Sequence, residues 1–282
     1  MEIKKIGVVG AGQMGAGIAQ VSAACGLDVW LSDISDELIQ KGIDGIGKRL
    51  ERAVAKGKLG SDEAGAIGAR LHKAPDLGDL AQCNFVVEAA TERESLKLDI
   101  FDRLDKIVPE QAILASNTSS ISITRIGAAS GRPDRVIGMH FMNPVPVMKL
   151  VEIIRGLPTS DETAQTTIAL AKRMGKTCTQ SKDFPGFIVN RILMPMINEA
   201  TYTLAEGIGS VEDIDTGMKL GTNQPMGPLA LADLIGLDTC LAIMQVLHTG
   251  LGDSKYRPCP LLRQYVDAGW LGRKTGRGFY NY

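Results

Sequence analysis

The sequence predicts an α/β fold in which a doubly wound parallel sheet, interrupted by a helical hairpin at about residues 35–71, is followed by an all-α C-terminal domain. Three observations predict it. A short apolar strand, Ile6 to Val9, runs straight into Gly10-Ala-Gly12-Gln13-Met14-Gly15-Ala-Gly17 and then a helical stretch. Further apolar strands alternate with helical segments as far as Gln180. Beyond Ser181-Lys-Asp-Phe-Pro185-Gly186 the pattern is helical only, which puts a domain boundary near Asp183, with domains 1–183 and 184–282.

Composition narrows the classes of function. A formal charge of −1 over 282 residues gives no basic field for nucleic acid, so an anionic ligand must be met by a local cluster. The five cysteines, Cys25, Cys83, Cys178, Cys240 and Cys259, are scattered, with no Cys-x-x-Cys and no neighbouring histidine at metal-ligand spacing. No metal is expected, and a reducing, cytoplasmic compartment fits. The N-terminus enters Ile6 to Val9 without the pattern of a signal peptide. The apolar stretch Pro228 to Leu247 is interrupted by Asp233 and Asp238, so it reads as a buried helix, Leu229 to Leu247, rather than a membrane span.

Taken in order, the glycine-rich turn sits between a strand and a helix, and a second strand, Val29 to Ser32, ends on Asp33. That is the context a Rossmann-type dinucleotide site requires: glycines for the tight turn and close approach, phosphates at the helix N-terminus, an acid for the ribose. An acid at Asp33 repels a 2′-phosphate and favours NAD over NADP. The hairpin follows, its second helix starting at Ser61, and its first arm carries Lys48, Arg52 and Lys56 on one face. A solvated face is the simpler explanation of that stripe in isolation; the alternative is a landing strip for a polyanion. Asn84 to Ala90 and Ala112 to Ala115 are strands, and the segments after them place Glu92, Lys97 and Ser116-Asn-Thr-Ser-Ser120 beyond the carboxyl ends of the sheet, where helix capping competes with a ligand role.

The stretch Val136 to Glu152 holds His140, one of three histidines, then a turn with Asn143, Pro144 and Pro146, then a second apolar run with Glu152. If the two runs pair, imidazole and carboxylate reach each other, as a histidine base needs. A buried histidine satisfied by backbone is the bland alternative. A helix from Asp161 to Met174 and a strand from Thr177 to Gln180 complete the first domain, and helices from Phe187 to Ala205, Val211 to Leu220, Leu229 to Leu247 and Leu261 to Ala268 fill the second. Asn190 lies one turn into the first of these helices.

These residues resemble the L-3-hydroxyacyl-CoA dehydrogenases, most closely the short bacterial 3-hydroxybutyryl-CoA group. The resemblance covers nearly the whole chain and rests on the glycine turn, Val-Val-Glu-Ala-Ala-Thr-Glu ending at Glu92, Ala-Ser-Asn-Thr-Ser-Ser, the His140 to Glu152 stretch, Asp-Phe-Pro-Gly-Phe-Ile-Val-Asn-Arg and Gly-Arg-Lys-Thr-Gly-Arg-Gly-Phe-Tyr. It implies a catalytic set of His140 as base, Glu152 as its support, and Ser119 and Asn190 holding the reacting oxygens. It implies cofactor contacts at Gly10, Gly12, Gln13, Met14, Gly15, Asp33, Glu92, Lys97, Asn143 and Lys274, and a coenzyme A handle at Lys48, Arg52 and Lys56. The expected reaction interconverts acetoacetyl-CoA and (S)-3-hydroxybutyryl-CoA with NAD(H), in a homodimer formed through the helical domain.

Rival readings fail on particular residues. β-Hydroxyacid dehydrogenases use a lysine four residues before an asparagine, and Gly186 stands there before Asn190. Short-chain dehydrogenases need Tyr-x-x-x-Lys, which no tyrosine here provides, and no Gly-x-Ser-x-Gly occurs for a serine hydrolase. A longer-chain member of the same family and a non-catalytic nucleotide-binding relative are the remaining alternatives.

Overall fold

The computed structural model describes residues 2–282, which divide into two compact units, the first ending at Phe184 and the second running Pro185–Tyr282. In the first unit the elements are β1 (Lys5–Val9), α1 (Gln13–Ala24), β2 (Asp28–Ser32), α2 (Asp36–Ala55), α3 (Ser61–Ala69), β3 (Leu71–Lys73), β4 (Phe85–Glu88) and α4 (Glu94–Ile107). They continue with β5 (Ile113–Ser116), α5 (Ile123–Ala128), β6 (Val136–Phe141), β7 (Leu150–Arg155), α6 (Asp161–Arg173) and β8 (Thr177–Lys182). The strands form one eight-stranded sheet in the order β3-β2-β1-β4-β5-β6-β7-β8. Every neighbouring pair is parallel except β6 and β7. The chain leaves β1 toward β2 on one side and returns to β4 on the other, so a crevice opens beyond the ends of β1 and β4.

Local chemistry explains the elements. β4 and β5 are buried on both faces, as strands covered by helices must be, and read as continuous apolar runs until their last residues, Glu88 and Ser116. α2 starts where the Ser35 hydroxyl accepts from Leu38 N, carries Asp36 and Glu37 in its first turn, and buries the stripe Ile39, Gly42, Ile46 and Leu50. The hairpin of α2 and α3 differs from the expected insertion in one respect. Leu71 to Lys73 is an edge strand paired with β2, so the hairpin is the β2 to β3 crossover itself.

The second unit holds α7 (Val189–Ala205), α8 (Val211–Gly221), α9 (Pro228–Ile235), α10 (Leu237–Leu251) and α11 (Pro260–Asp267), packed around Met194, Ile197, Cys240, Met244 and Leu247. The expected single helix from Leu229 to Leu247 is two helices meeting at 99°. Gly236, at φ 102, makes the corner, a backbone conformation that L side chains resist. Two buried acids hold this unit's ends. Asp215 of α8 accepts from Leu229 N and Ala230 N, capping α9 from outside, and also from the Tyr280 hydroxyl. Asp233 accepts from Phe279 N, Tyr280 N and the Tyr282 hydroxyl. No single helix among the described residues is long and apolar enough to cross a membrane.

Candidate active site

A cleft of about 940 Å³ lies at the switch point, lined by Gly10, Gly12, Gln13, Asp33, Ala89 and Ala90 among others. Backbone closeness explains its glycines. Gly10 has φ 104, and a Cβ on Gly15 would lie 1.7 Å from the Gly10 carbonyl oxygen, so α1 starts as near to β1 as main chain allows. Nothing stands within 4 Å of a Cβ on Gly12, which leaves the helix N-terminus open to a ligand. Asp33 Oδ2 accepts from Ala11 N at 2.6 Å and Oδ1 from Ile34 N at 2.7 Å. The acid is thereby fixed at the cleft wall with acceptor capacity to spare. An open helix N-terminus beside a clamped carboxylate fits the pyrophosphate and ribose of a dinucleotide.

Of the other expected cofactor residues, Met14 is half-buried against the core, and Gly15 is buried under the turn; neither lines this cleft. Glu92 and Lys97 stand instead beyond the ends of β4 and β5, in a polar cluster. Lys97 is buried, its Nζ donating to Glu88 Oε1 at 2.6 Å and to the Ala90 carbonyl at 3.2 Å, with Glu92 Oε2 at 3.4 Å. Glu92 Oε1 accepts from the Thr118 hydroxyl at 2.6 Å, from Ser119 N at 2.9 Å and from the Ser120 hydroxyl at 3.0 Å. The segment after β5 is therefore clamped by a carboxylate from the segment after β4.

The clamp delivers Ser119 to the histidine. Ser119 Oγ is 3.0 Å from His140 Nε2, and His140 Nδ1 is 2.9 Å from Glu152 Oε2. Antiparallel register pairs His140 of β6 directly with Glu152 of β7, which brings two residues twelve apart in sequence together. The residue twelve before the acid is thus a cross-strand neighbour because the Asn143 to Lys149 bend returns the chain alongside itself. His140 and Glu152 are both buried. A carboxylate accepts, so Nδ1 carries the ring proton and Nε2 presents a lone pair, on which the Ser119 hydroxyl donates. Asn117 Oδ1 accepts from Phe141 N at 2.8 Å, tying the serine segment to β6 one residue beyond the histidine.

The bend is supported separately. Lys176, buried, donates to the carbonyls of Val145 and Met148 at 2.5 and 2.9 Å, and Val145 packs where a Cβ on Gly17 of α1 would stand. Asn143 is exposed on this bend. Lys48 and Arg52 are exposed on α2 and Lys56 at its C-terminal cap, whereas Arg49 turns inward, its Nε donating to Gln20 Oε1 at 2.6 Å. Burial holds the Arg49 guanidinium below its ordinary value. Asn190 and Lys274 belong to the second unit. Asn190 is buried in the first turn of α7, and Lys274 pairs with both carboxylate oxygens of Asp238, at 2.5 and 2.6 Å.

Sequence reasoning missed Glu88 and Lys176. Glu88 had one signal, an acid ending an otherwise apolar strand; Lys176 had none. Burial pushes the Cys83 and Cys240 thiols up to about 12, which leaves neither a thiolate nucleophile at neutral pH. Among the described residues no group of His, Cys, Asp and Glu is arranged to hold a metal ion. The constellation can do acid and base work on an oxygen placed at His140 Nε2, beside a cleft shaped for a dinucleotide.

Comparison with known proteins agrees over the whole chain. Residues 5–184 match the family model described as 3-hydroxyacyl-CoA dehydrogenase, NAD binding domain, and residues 186–282 match the C-terminal domain of the same family. A probable 3-hydroxybutyryl-CoA dehydrogenase of Bacillus subtilis is 58% identical over 282 residues, spanning 100% of this chain and 98% of its own. A 3-hydroxybutyryl-CoA dehydrogenase of Bradyrhizobium diazoefficiens is 58% identical over 281 residues, 99% of this chain and 96% of its own. The crystal structure of an (S)-3-hydroxybutyryl-CoA dehydrogenase from Ralstonia eutropha superposes with a TM-score of 0.97 at 55% identity, covering 100% of this chain and 99% of that one.

Proposed function

We propose, from the premise that the chain belongs to the 3-hydroxyacyl-CoA dehydrogenase family, that it interconverts (S)-3-hydroxybutyryl-CoA and acetoacetyl-CoA. The observation that carries the mechanism is the line Ser119 Oγ, His140 Nε2, His140 Nδ1, Glu152 Oε2, with separations of 3.0 and 2.9 Å at its two hydrogen bonds.

Bound NAD supplies the acceptor for the hydride that leaves the substrate's C3. His140 takes the hydroxyl proton on Nε2, whose lone pair is kept available because Nδ1 is committed to Glu152. The imidazolium so formed is stabilised by the Glu152 carboxylate, which is fully removed from solvent, where a counter-charge acts with little screening. In the reducing direction the imidazolium returns its proton to the 3-keto oxygen. Ser119, which bonds Nε2 in the structure, holds the reacting oxygen beside that nitrogen. Asn190 supplies a second polar contact to the acyl group. The Asp33 carboxylate accepts from the ribose of NAD and disfavours a 2′-phosphate. Gly10, Gly12, Gln13, Met14 and Gly15 form the turn under the pyrophosphate, with Glu92, Lys97, Asn143 and Lys274 completing the cofactor's surroundings.

Lys48 and Arg52 on α2 and Lys56 at its C-terminal cap present three exposed cations, a handle for the phosphates of coenzyme A. The second unit exposes Ile192, Ile208 and Leu220, a composition suited to pairing with a second copy. Five free cysteines fit a reducing, cytoplasmic setting.

Loss of absorbance at 340 nm with acetoacetyl-CoA, run in parallel with NADH and NADPH, tests this reading. NADH is expected to be consumed rapidly and NADPH at least tenfold more slowly, on the order of one mispaired charge. Consumption of neither refutes the reaction; preference for NADPH refutes the role of Asp33 and leaves the reaction standing.

A further inference from the structure

Glu88 is the last residue of β4 and is completely buried, an acid at the end of an otherwise apolar strand. Its carboxylate is bound from three directions. Oε1 accepts from Lys97 Nζ at 2.6 Å and from Ala90 N at 2.7 Å, and Oε2 accepts from the Ser116 hydroxyl at 2.6 Å. Ser116 is its register partner on β5, and Lys97 comes from the first turn of α4. A buried charge is stable only when paired and hydrogen-bonded, and here ammonium and carboxylate answer each other's need.

The arrangement does more than neutralise. Lys97 stands between two carboxylates, at 2.6 Å from Glu88 and 3.4 Å from Glu92. Glu92 meets Lys97 through Oε2, while its Oε1 accepts from Thr118, Ser119 and Ser120. Ser116 adds a second tie, since its hydroxyl oxygen accepts from Thr118 N at 3.2 Å while donating to Glu88. Both routes end on the segment whose Ser119 hydroxyl meets His140 Nε2.

We propose that Glu88 is a positioning residue: acting through Lys97 and Ser116, it fixes Glu92 and Thr118 and so sets the place of the Ser119 hydroxyl against His140. The inference about catalysis rests on the functional reading above; the inference about geometry does not. With Glu88 neutral, Glu92 is the remaining carboxylate beside the Lys97 ammonium. The ammonium then draws Glu92 toward itself and away from the amide of Ser119.

The test uses the full-length protein with Glu88→Gln, nearly isosteric but uncharged, Glu88→Asp, which keeps the charge, and Ser116→Ala. A crystal structure of Glu88→Gln is expected to show Ser119 Oγ and His140 Nε2 separated by more than about 3.5 Å, beyond hydrogen-bond reach. In acetoacetyl-CoA reduction, kcat of Glu88→Gln is expected to fall on the order of tenfold to a hundredfold, the scale of a misplaced reacting group, with KM within about twofold. Glu88→Asp recovers part of that loss, and Ser116→Ala loses less than Glu88→Gln. An unmoved Ser119 in Glu88→Gln overturns the proposal, as does a kcat equal to wild type, or a loss that merely follows the unfolded fraction and that Glu88→Asp does not relieve. A wild-type protein that consumes no NADH refutes the functional reading instead, and the crystal structure then decides the positioning claim by itself.

Discussion

Both units bury carboxylates, and the partners they choose differ. In the second unit Asp215 and Asp233, 3% and 1% exposed, accept from backbone amides and tyrosine hydroxyls. Those partners carry no charge at neutral pH, so each acid serves as a fixed acceptor that satisfies chain ends a helix cannot satisfy itself. In the first unit Glu152 meets an imidazole and Glu88 an ammonium, groups that can gain or share a proton or a charge. Asp183 shows that location is not the cause. Half-buried in the first unit, it yet accepts from the amides of Ile123 and Thr124, as its buried counterparts in the second accept from amides. What a buried acid touches, rather than how deeply it is buried, separates a structural acid from one that works on chemistry.

The comparison can be broken at either side. The largest effect is expected at His140→Ala. Acetoacetyl-CoA reduction per folded molecule should fall by roughly a hundredfold to ten-thousandfold, the contribution of a positioned acid or base, a loss that unfolding does not account for. A variant that keeps its rate would remove the reason for Glu152. Asp215→Ala should do the opposite. Leaving the amides of Leu229 and Ala230 without their acceptor costs about 1–3 kcal/mol of stability by denaturant titration, with turnover per folded molecule retained.

The smallest effect is an alkaline one. Burial, helped by the bond to Asp215, holds the Tyr280 hydroxyl well above its ordinary value of 10.0, and burial pushes Tyr282 the same way. The unfolded chain therefore releases these protons first. Stability from the pair is complete below pH 10 and declines as pH rises beyond it. Tyr280→Phe should flatten that decline, which thermal melts between neutral and strongly alkaline pH would reveal; an unchanged slope would mean Tyr280 does not set it.

Legibility in the sequence followed the range of the interaction. The glycine turn, β1 and Asp33 are read within one strand-helix-strand unit, where the turn's backbone closeness and the acid's place after the second strand leave few residue types able to serve. His140 and Glu152 were also readable, since a bend between two apolar runs fixes which residues face each other. β3 was not: three residues, Leu71-His-Lys, are too short to carry a period and take their strand geometry from β2. The corner at Gly236 was hidden because α9 and α10 are both apolar, so hydrophobicity runs on across a break that only backbone geometry reveals. Glu88 and Asp215 gain their meaning from groups on other elements. A sequence shows the acid and leaves its partner out.

One substitution bears most directly on the claim that partner chemistry defines the working acid. Glu152→Gln keeps the shape of the side chain and removes its charge beside His140. Its kcat for acetoacetyl-CoA reduction at neutral pH should drop at least about tenfold, because the imidazolium loses its counter-charge in a site shielded from water. Turnover matching wild type across neutral pH would contradict the account, and would leave Glu152 a structural acid of the same kind as Asp215.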